Sequence, residues 1–286
     1  MINNNCRVRF RRAIRNAPAA FALATFILST ASPVTGQILT GGARAAAMGG
    51  AATALRGDAW TDGNPAVAGT RSGRSLAFFA SQSFGLSELR YSAFQYIEPT
   101  TIGAFSLGAS SFGFSDFRRT DASVGYGRGF AFGAMRKAYF GMLLSYRSVT
   151  IAGYGAQGAV DFSLGGMVEL ASGLDLGFSA TNVSAADLGN GGELPRSLAV
   201  GLAFRPSEPL LVSADAYQEI GYPLSARVGI ELLPVDVLYV RAGAVSQPAG
   251  LTFGAGVRLG LVAVDISAQR HEVLGWSPAG GLSMLW

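Results

Sequence analysis

The last nine residues of the chain, 278–286, constrain its fold more than any other stretch. Their large apolar side chains, Leu282, Met284 and Trp286, occupy alternate positions, and the sequence stops on an aromatic residue. An apolar strand at a frayed terminus is unusual in a soluble protein. In an outer-membrane β-barrel the last strand pairs with the first and carries an aromatic side chain at the membrane interface. We therefore expect a membrane β-barrel, and the alternative is the buried final strand of a soluble β-sandwich.

The N-terminal region has the organisation of an export signal. Five arginines and no acidic residue precede an apolar run at 19–28, which is too short to span a bilayer. Val34 and Gly36 provide small residues at the −3 and −1 positions of a cleavage site, so we expect residues 1–36 to be removed. The one cysteine, Cys6, lies in this signal, and the mature protein then has no thiol for disulfides, catalysis or metal binding.

Removal of the signal changes the charge of the protein and the partners that this charge implies. The full sequence has 22 basic and 18 acidic residues, for a net charge of +4. Without the five arginines of the signal, 17 basic residues face 18 acidic ones and the net charge becomes −1. Since the mature chain also has no basic run, we exclude nucleic acid as a partner.

Apolar residues are dispersed along the mature chain and are not gathered into membrane helices. They make up 49% of the sequence, yet no apolar run after the signal approaches 18 residues. In one typical stretch, Leu251, Phe253 and Val257 alternate with Thr252 and Gly254, so that one face suits lipid. We assign fourteen strands, or twelve if two early ones merge, over residues 74–84, 87–97, 101–112, 121–132, 138–149, 158–170, 173–183, 195–205, 209–218, 223–233, 236–245, 250–259, 261–270 and 278–286.

The lengths of the predicted connections support this count. A barrel whose chain enters from the periplasm has short even-numbered turns, and these are short here. The longer polar and glycine-rich connections all have the opposite parity and cover residues 113–120, 150–157, 184–194 and 271–277.

Residues 37–73 differ in kind from the strands because they are small, glycine-rich and without alternation. A Gly-Ala-Arg…Met-Gly-Gly-Ala run is followed by a short acidic stretch and then by Asn-Pro-Ala. This order resembles the N-terminus of the PorV/PorQ family and of its wider relatives, the FadL-type channels for hydrophobic substrates. The residues that carry the motif are Arg44, Met48, Gly49, Gly50, Asn64, Pro65 and Ala66. The C-terminal strands resemble the same family at residues 229–231, 241–243, 252–256 and 264–265.

The resemblance implies that residues 37–73 enter the lumen of a barrel formed by 74–286 and act as a plug, or hatch. A lumen of fourteen strands lies between barrels filled by their own side chains and barrels with an aqueous channel, so a plug would prevent leakage. For Asn64, the simpler interpretation is a helix cap followed by proline at the first helical position. The helix cap and the role in the hatch motif are compatible with each other.

Charged residues at inward positions of the predicted strands can meet the charges of the plug. They serve either as a transport path or as a self-neutralising network that fixes plug and wall, and the balanced signs favour the network. These residues are Arg147, Asp161, Asp175, Arg205, Asp215, Arg227, Glu231, Arg241, Arg258 and Asp265.

The sequence argues against an enzyme and predicts no cofactor or metal. Residues 153–158 match the dinucleotide pattern G-x-G-x-x-G, but they lie in a predicted loop with no helix to follow. His271 is the one histidine, which excludes sites built from histidine pairs. We expect it to be a solvated loop residue, and a hydrolase that uses it with Ser267 is the weakest hypothesis.

Two functions remain. The PorV/PorQ resemblance implies a barrel that serves type IX protein secretion, and we prefer it because the C-terminal strands are closer to that family. The FadL-type resemblance implies a passive channel for hydrophobic small molecules, which needs an apolar pocket. Candidates to line that pocket, or to pack on the plug, are Phe79, Phe94, Tyr96 and Leu143. Expected partners are outer-membrane lipid, the barrel-assembly machinery, whose signal Trp286 resembles, and either secreted cargo proteins or a hydrophobic ligand.

Overall fold

The computed structural model of the protein describes residues 41–132, 136–189 and 194–286. The predicted export signal, residues 1–36, lies outside these ranges and stays a prediction. The described chain begins with the short α-helix α1 (Gly42–Ala47), continues to a 3-10 helix (Pro65–Thr70) and then enters the strands. The fourteen strands in the described residues are β1 (Ser75–Gln82), β2 (Arg90–Thr100), β3 (Gly103–Gly113), β4 (Phe117–Phe132), β5 (Arg136–Ile151), β6 (Gly155–Ala171), β7 (Leu174–Thr181), β8 (Ser197–Ser207), β9 (Leu210–Glu219), β10 (Ser225–Val235), β11 (Leu238–Ser246), β12 (Ala249–Leu259), β13 (Val262–His271) and β14 (Gly275–Leu285). Two further 3-10 turns, Ser83–Gly85 and Ser87–Leu89, join β1 to β2.

The strands form one closed antiparallel barrel, in which every strand pairs with its neighbours in sequence. The barrel closes where β14 pairs with β1, with Ser75 opposite Leu285 and Ser81 opposite Ala279. The amide of Trp286 adds a hydrogen bond of 3.1 Å to the carbonyl of Arg74. The predicted fold class is therefore confirmed, with fourteen strands and not twelve among the described residues. Closure leaves no free sheet edge, which is what a strand needs to be stable in lipid.

The two faces of the barrel wall differ as the alternation predicted. On β12 and β13 the outward side chains Phe253 and Ile266 are 46% and 61% exposed, whereas the inward Thr252 and Ala263 are buried. Outside the wall, Tyr96 lies next to Trp286, with ring centroids 6.5 Å apart. Among the described residues, the structure contains no helix of the length and apolarity needed to cross a bilayer.

Connections at the two ends of the barrel differ in length. At the end that holds Ser75 and Leu285, called here the termini end, two residues suffice to connect β2–β3, β6–β7, β8–β9, β10–β11 and β12–β13. At the opposite end, the loop end, longer connections occupy 83–89 and 220–224, and the connection from β7 to β8 includes the described residues 182–189 and 194–196. The longer connections thus have the predicted parity, although the β11–β12 connection at the same end, 247–248, is also only two residues long.

Three of the predicted long loops, 113–120, 150–157 and 271–277, are wrong. The last of them is only 272–274, because β13 continues to His271 and β14 begins at Gly275. β4 already begins at Phe117, β5 continues to Ile151 and β6 begins at Gly155, so that three residues make each connection. The strand extensions carry residues such as Arg118 and Gln157. Where strands rise beyond the apolar belt, both faces meet water, and the alternation that identifies a membrane strand disappears.

The barrel lumen as candidate functional site

The N-terminal segment, defined as residues 41–73, lies inside the barrel. Its helix α1 packs against β11, β12, β13 and β14, and its 3-10 helix packs against β3, β4, β5 and β6. Most of its apolar residues are buried, among them Ala47, Met48 and Ala66, each with no exposed surface. The segment therefore lies across the lumen, from one side of the wall to the other.

Glycines of the wall let the segment approach the strand backbones. A Cβ atom on Gly141 would lie 2.2 Å from the carbonyl carbon of Pro65, and one on Gly229 would lie 2.6 Å from Cβ of Met48. Because such distances are far inside van der Waals contact, only glycine fits there. The wall glycines in close contact with the segment include Gly127, Gly141, Gly165, Gly177, Gly229, Gly243 and Gly254. Sequence reasoning missed this set, although glycine at inward positions of strand after strand was the available signal.

The first part of the motif, Met48-Gly49-Gly50, forms a tight turn on the wall. Met48 packs with Leu55 and Leu211 in a buried cluster. The amide of Gly49 donates to Oγ1 of Thr252 at 2.9 Å. Gly49 and Gly50 have φ angles of 68° and 73°, in the left-handed region that favours glycine.

The second part of the motif, Asn64-Pro65-Ala66, begins the 3-10 helix. Oδ1 of Asn64 accepts a hydrogen bond of 2.9 Å from the amide of Ala66, and Pro65 takes the first helical position. Nδ2 of Asn64 donates to the carbonyls of Thr53 at 2.6 Å and Gly166 at 3.2 Å. Asn64 thus caps the helix and also connects two parts of the segment to β6.

Ion pairs fix the segment to the wall. Arg44 makes two hydrogen bonds of 2.8 Å to the carboxylate of Glu231, which also accepts from Arg241 at 2.7 Å. Arg241 continues to Asp265 at 2.5 Å, and Asp58 lies 3.9 Å from Arg44. Burial raises the pKa of Asp58, and the neighbouring Arg44 opposes that rise. Charge-assisted bonds of this kind are strong when they are shielded from water.

On the other side of the lumen, a second set of contacts holds the segment. Arg56 donates to Asp175 at 2.8 Å and to Glu169 at 3.3 Å. The amide and hydroxyl of Thr53 both donate to Asp215, at 2.9 Å and 2.7 Å. Of the acidic partners, Glu169 was not among the predicted lumen charges.

The structure places eight of the ten predicted lumen charges against a partner in the interior. Besides those described above, Arg147 pairs with the fully buried Asp161, and the guanidinium of Arg227 lies 3.7 Å from the ring centroid of Tyr217. Arg205 and Arg258 differ, because both are exposed near the termini end. Arg258 nevertheless borders the network, because its guanidinium lies 5.2 Å from the ring centroid of Tyr239, which Arg241 also contacts. For Arg205 the expectation of a place in the packed interior is wrong, since its strand leaves that interior before reaching it.

A cavity of about 540 Å³ lies between the N-terminal segment and the loop end. Its floor includes Gly49, Trp60 and Gly63 of the segment. Its charged wall residues are balanced in sign, with three arginines and three carboxylates: Arg119, Arg147, Arg227, Asp62, Asp121 and Glu219. Hydroxyl groups form much of the remaining wall, from Ser110, Ser145, Ser163, Ser179, Thr181 and Ser197.

One sector of the cavity wall is aromatic. Tyr91 lines it beside Trp60, and Phe79 packs behind both, with ring centroids 5.9 Å from each. Of the predicted pocket residues, Phe79 and Leu143 are buried on the inner face. For Phe94 and Tyr96 the prediction is wrong, because the buried residues of β2 have the other parity and these two rings lie outside, against Phe78 and Trp286.

The features that imitate enzyme sites have structural roles. The pattern at 153–158 spans the turn after β5 and the start of β6, without a following helix. His271 is buried and not solvated as predicted, because it caps the next turn: its Nδ1 accepts from the amides of Val273 and Leu274, both at 3.2 Å. Within the described ranges, no three His, Cys, Asp or Glu residues are grouped so that they could hold a metal ion.

Comparison with solved structures identifies the fold. The toluene transporter TbuX of Ralstonia pickettii aligns with a TM-score of 0.60 and 12% identity, over 85% of this chain and 97% of its own. A FadL homologue of Pseudomonas aeruginosa gives a TM-score of 0.62 at 11% identity, over 88% of this chain and 99% of that one. The toluene transporter TodX of Pseudomonas putida aligns with a TM-score of 0.54 and 15% identity, over 90% of this chain and 98% of its own. At these identities the likeness shows the fold alone, which is that of FadL-like outer-membrane barrels. No protein-family model and no curated protein matches the sequence.

Proposed function

We propose that the protein is a passive outer-membrane channel for hydrophobic small molecules, with the N-terminal segment as its hatch. The observation that carries this proposal is the cavity of about 540 Å³ at the loop end. Sites for small organic molecules are concave and have volumes of roughly 300–1,000 Å³. The aromatic sector beside Trp60 and Tyr91 provides the apolar part of this one. The fold likeness to toluene transporters supports the same function.

Transport by this route has two stages. A molecule that enters from the loop end meets the aromatic sector beside Trp60 and the floor formed by the segment. Beyond that floor, the buried cluster around Met48 and the ion pairs of Arg44 fill the lumen. Onward movement therefore requires the segment to shift, and no energy source is needed if the molecule follows its concentration gradient.

A matched pair of substitutions on β8 tests the channel. Ala199 is buried on the cavity wall, whereas the next residue, Val200, is 49% exposed on the outer face. We expect Ala199→Trp to reduce the accumulation of radiolabelled toluene by cells carrying the protein in their outer membrane, because the indole fills the cavity. Val200→Trp should leave accumulation unchanged. If the two variants accumulate toluene equally well, passage does not use this cavity.

The PorV/PorQ resemblance and its link to type IX secretion remain a sequence-based prediction. No match carries them, and three-residue connections such as 114–116 and 152–154 leave little surface for a protein cargo. Deletion of the protein distinguishes the two functions. Secreted proteins stranded in the periplasm, with normal toluene accumulation, would favour the secretion-linked role over the channel.

A further inference from the structure

The loop-end cavity is not the uniformly apolar pocket that a pure hydrocarbon would prefer. Its aromatic sector, Trp60 and Tyr91, adjoins Gln95 on the same strand as Tyr91. Gln95 is 2% exposed, and its Nε2 has no hydrogen-bond partner, whereas its Oε1 accepts from Thr61 at 3.3 Å. A buried amide donor without a partner costs free energy, and a ligand that pairs with it recovers that cost.

A second unpartnered group lines the cavity across the barrel. Ser179 on β7 is 2% exposed, and its hydroxyl has no partner either. β7 lies six strands from β1 in the closed barrel, so Ser179 faces the aromatic sector from the other side of the lumen. The cavity thus presents unmet hydrogen-bonding capacity on both sides of its apolar surface.

Charge narrows the class of ligand further. The cavity lining contains three arginines and three carboxylates. Arg119 pairs with Asp121 of this lining, and Arg147 pairs with Asp161, which is fully buried behind it. An anionic or cationic ligand would have to compete with these pairs and leave one partner uncompensated. A neutral ligand does not disturb them.

We infer that the cavity selects neutral aromatic molecules that carry a hydroxyl group, of the phenol class, over unsubstituted hydrocarbons. The ring packs on Trp60 and Tyr91 through offset or edge contacts. The hydroxyl of the ligand forms a hydrogen bond with the side-chain amide of Gln95. Because a hydroxyl both donates and accepts, it can pair with the nitrogen or the oxygen of that amide. This inference rests on the proposed function and specifies its substrate.

Phenol and toluene provide the test, because they differ by a hydroxyl in place of a methyl group. Equilibrium dialysis of the full chain in detergent, corrected by protein-free micelles, should show phenol binding tighter than toluene. In Gln95→Leu, which keeps the volume, phenol affinity should fall roughly tenfold, the effect of one lost buried hydrogen bond, and toluene should then bind more tightly than phenol. Ser92→Ala, at an outward position of the same strand, is the control and should change neither affinity.

The outcomes separate the inference from the channel proposal. If wild-type protein binds toluene more tightly than phenol and Gln95→Leu alters neither, the hydroxyl preference is wrong, although toluene accumulation in cells can still support the channel. If phenol binds with the expected dependence on Gln95 but neither compound accumulates in cells, the binding site stands and the channel fails. Benzoate, an anion of similar size, should bind more weakly than phenol, and tighter binding would overturn the argument from charge.

Discussion

The two halves of the lumen differ in how they are filled. Toward the termini end, the N-terminal segment fills the space, and charges such as Arg44, Glu231 and Arg241 bond to one another. Toward the loop end, the lumen is open, and buried polar groups such as Gln95 and Ser179 have no partner. Single unpartnered oxygen atoms also occur in the filled half, at Ser75, Asp175 and Asp215. What distinguishes Gln95 and Ser179 is that their unpartnered atoms border open space, where a ligand can pair with them. The same barrel wall therefore supports a structural half and a binding half.

Glycine marks the structural half. Gly141 pairs across strands with both Gly127 and Gly165, and all three lie against the segment. In the binding half, serine takes the inward positions instead, as at Ser145 and Ser163. A small side chain that can hydrogen-bond suits an open wall, and the absence of a side chain suits one that touches another backbone.

Removing the segment should abolish the difference between the two halves, which is the largest effect we expect. Deletion of residues 41–68 empties the termini half, because the contacts of α1 and the 3-10 helix disappear with it. Single-channel recordings in planar bilayers should change from near-closed to a steady open conductance. Equal conductance of the deleted and full-length proteins would show that the segment does not block the lumen.

Glu231→Gln attacks the ion pairs of the structural half. Glu231 joins Arg44 to Arg241, whose side chain is 3% exposed. The change removes the carboxylate that these two guanidinium groups share and leaves them only Asp58 and Asp265. We expect the free energy of unfolding in urea to fall by about 3 kcal/mol. The N-terminal segment should also be cleaved by protease faster than in the wild type. The matched control is Glu272→Gln, at an exposed carboxylate in the last connection, which should unfold like the wild type. Equal stability of the two variants would mean that water already reaches Glu231.

Gly141→Ala tests the glycine contacts and should have the smallest effect of the three. Its Cβ would lie 2.2 Å from Pro65, so the segment must shift, at a cost of about 2 kcal/mol in unfolding free energy. Gly166→Ala, on the adjacent strand, is the control because its nearest neighbour would be 3.9 Å away. If both variants unfold alike, the segment is not held close to β5.

How far the sequence predicts the fold is seen in the strands themselves. Lipid contacts one face of each strand and the lumen contacts the other, so apolar and polar residues alternate within every strand. This alternation predicted all fourteen strands and the pairing of the last with the first. The prediction of strand ends from alternation was wrong where both faces of a strand meet water. β4, β5 and β6 extend into the predicted loops because alternation no longer distinguishes their faces.

What the tertiary structure alone decided is which inward residues meet. Arg44 and Glu231 lie 187 positions apart, and nothing local relates them. Parity predicted inward charges, but it could not show that Arg205 and Arg258 are exposed near the termini end, or that His271 is buried in a turn. The cavity is likewise a property of the assembled barrel, since Trp60, Gln95 and Ser179 reach it from separate elements. The sequence by itself determined a membrane barrel, because the bilayer imposes its period on every strand; closure of the barrel around the N-terminal segment decided where the lumen is filled and where it is open.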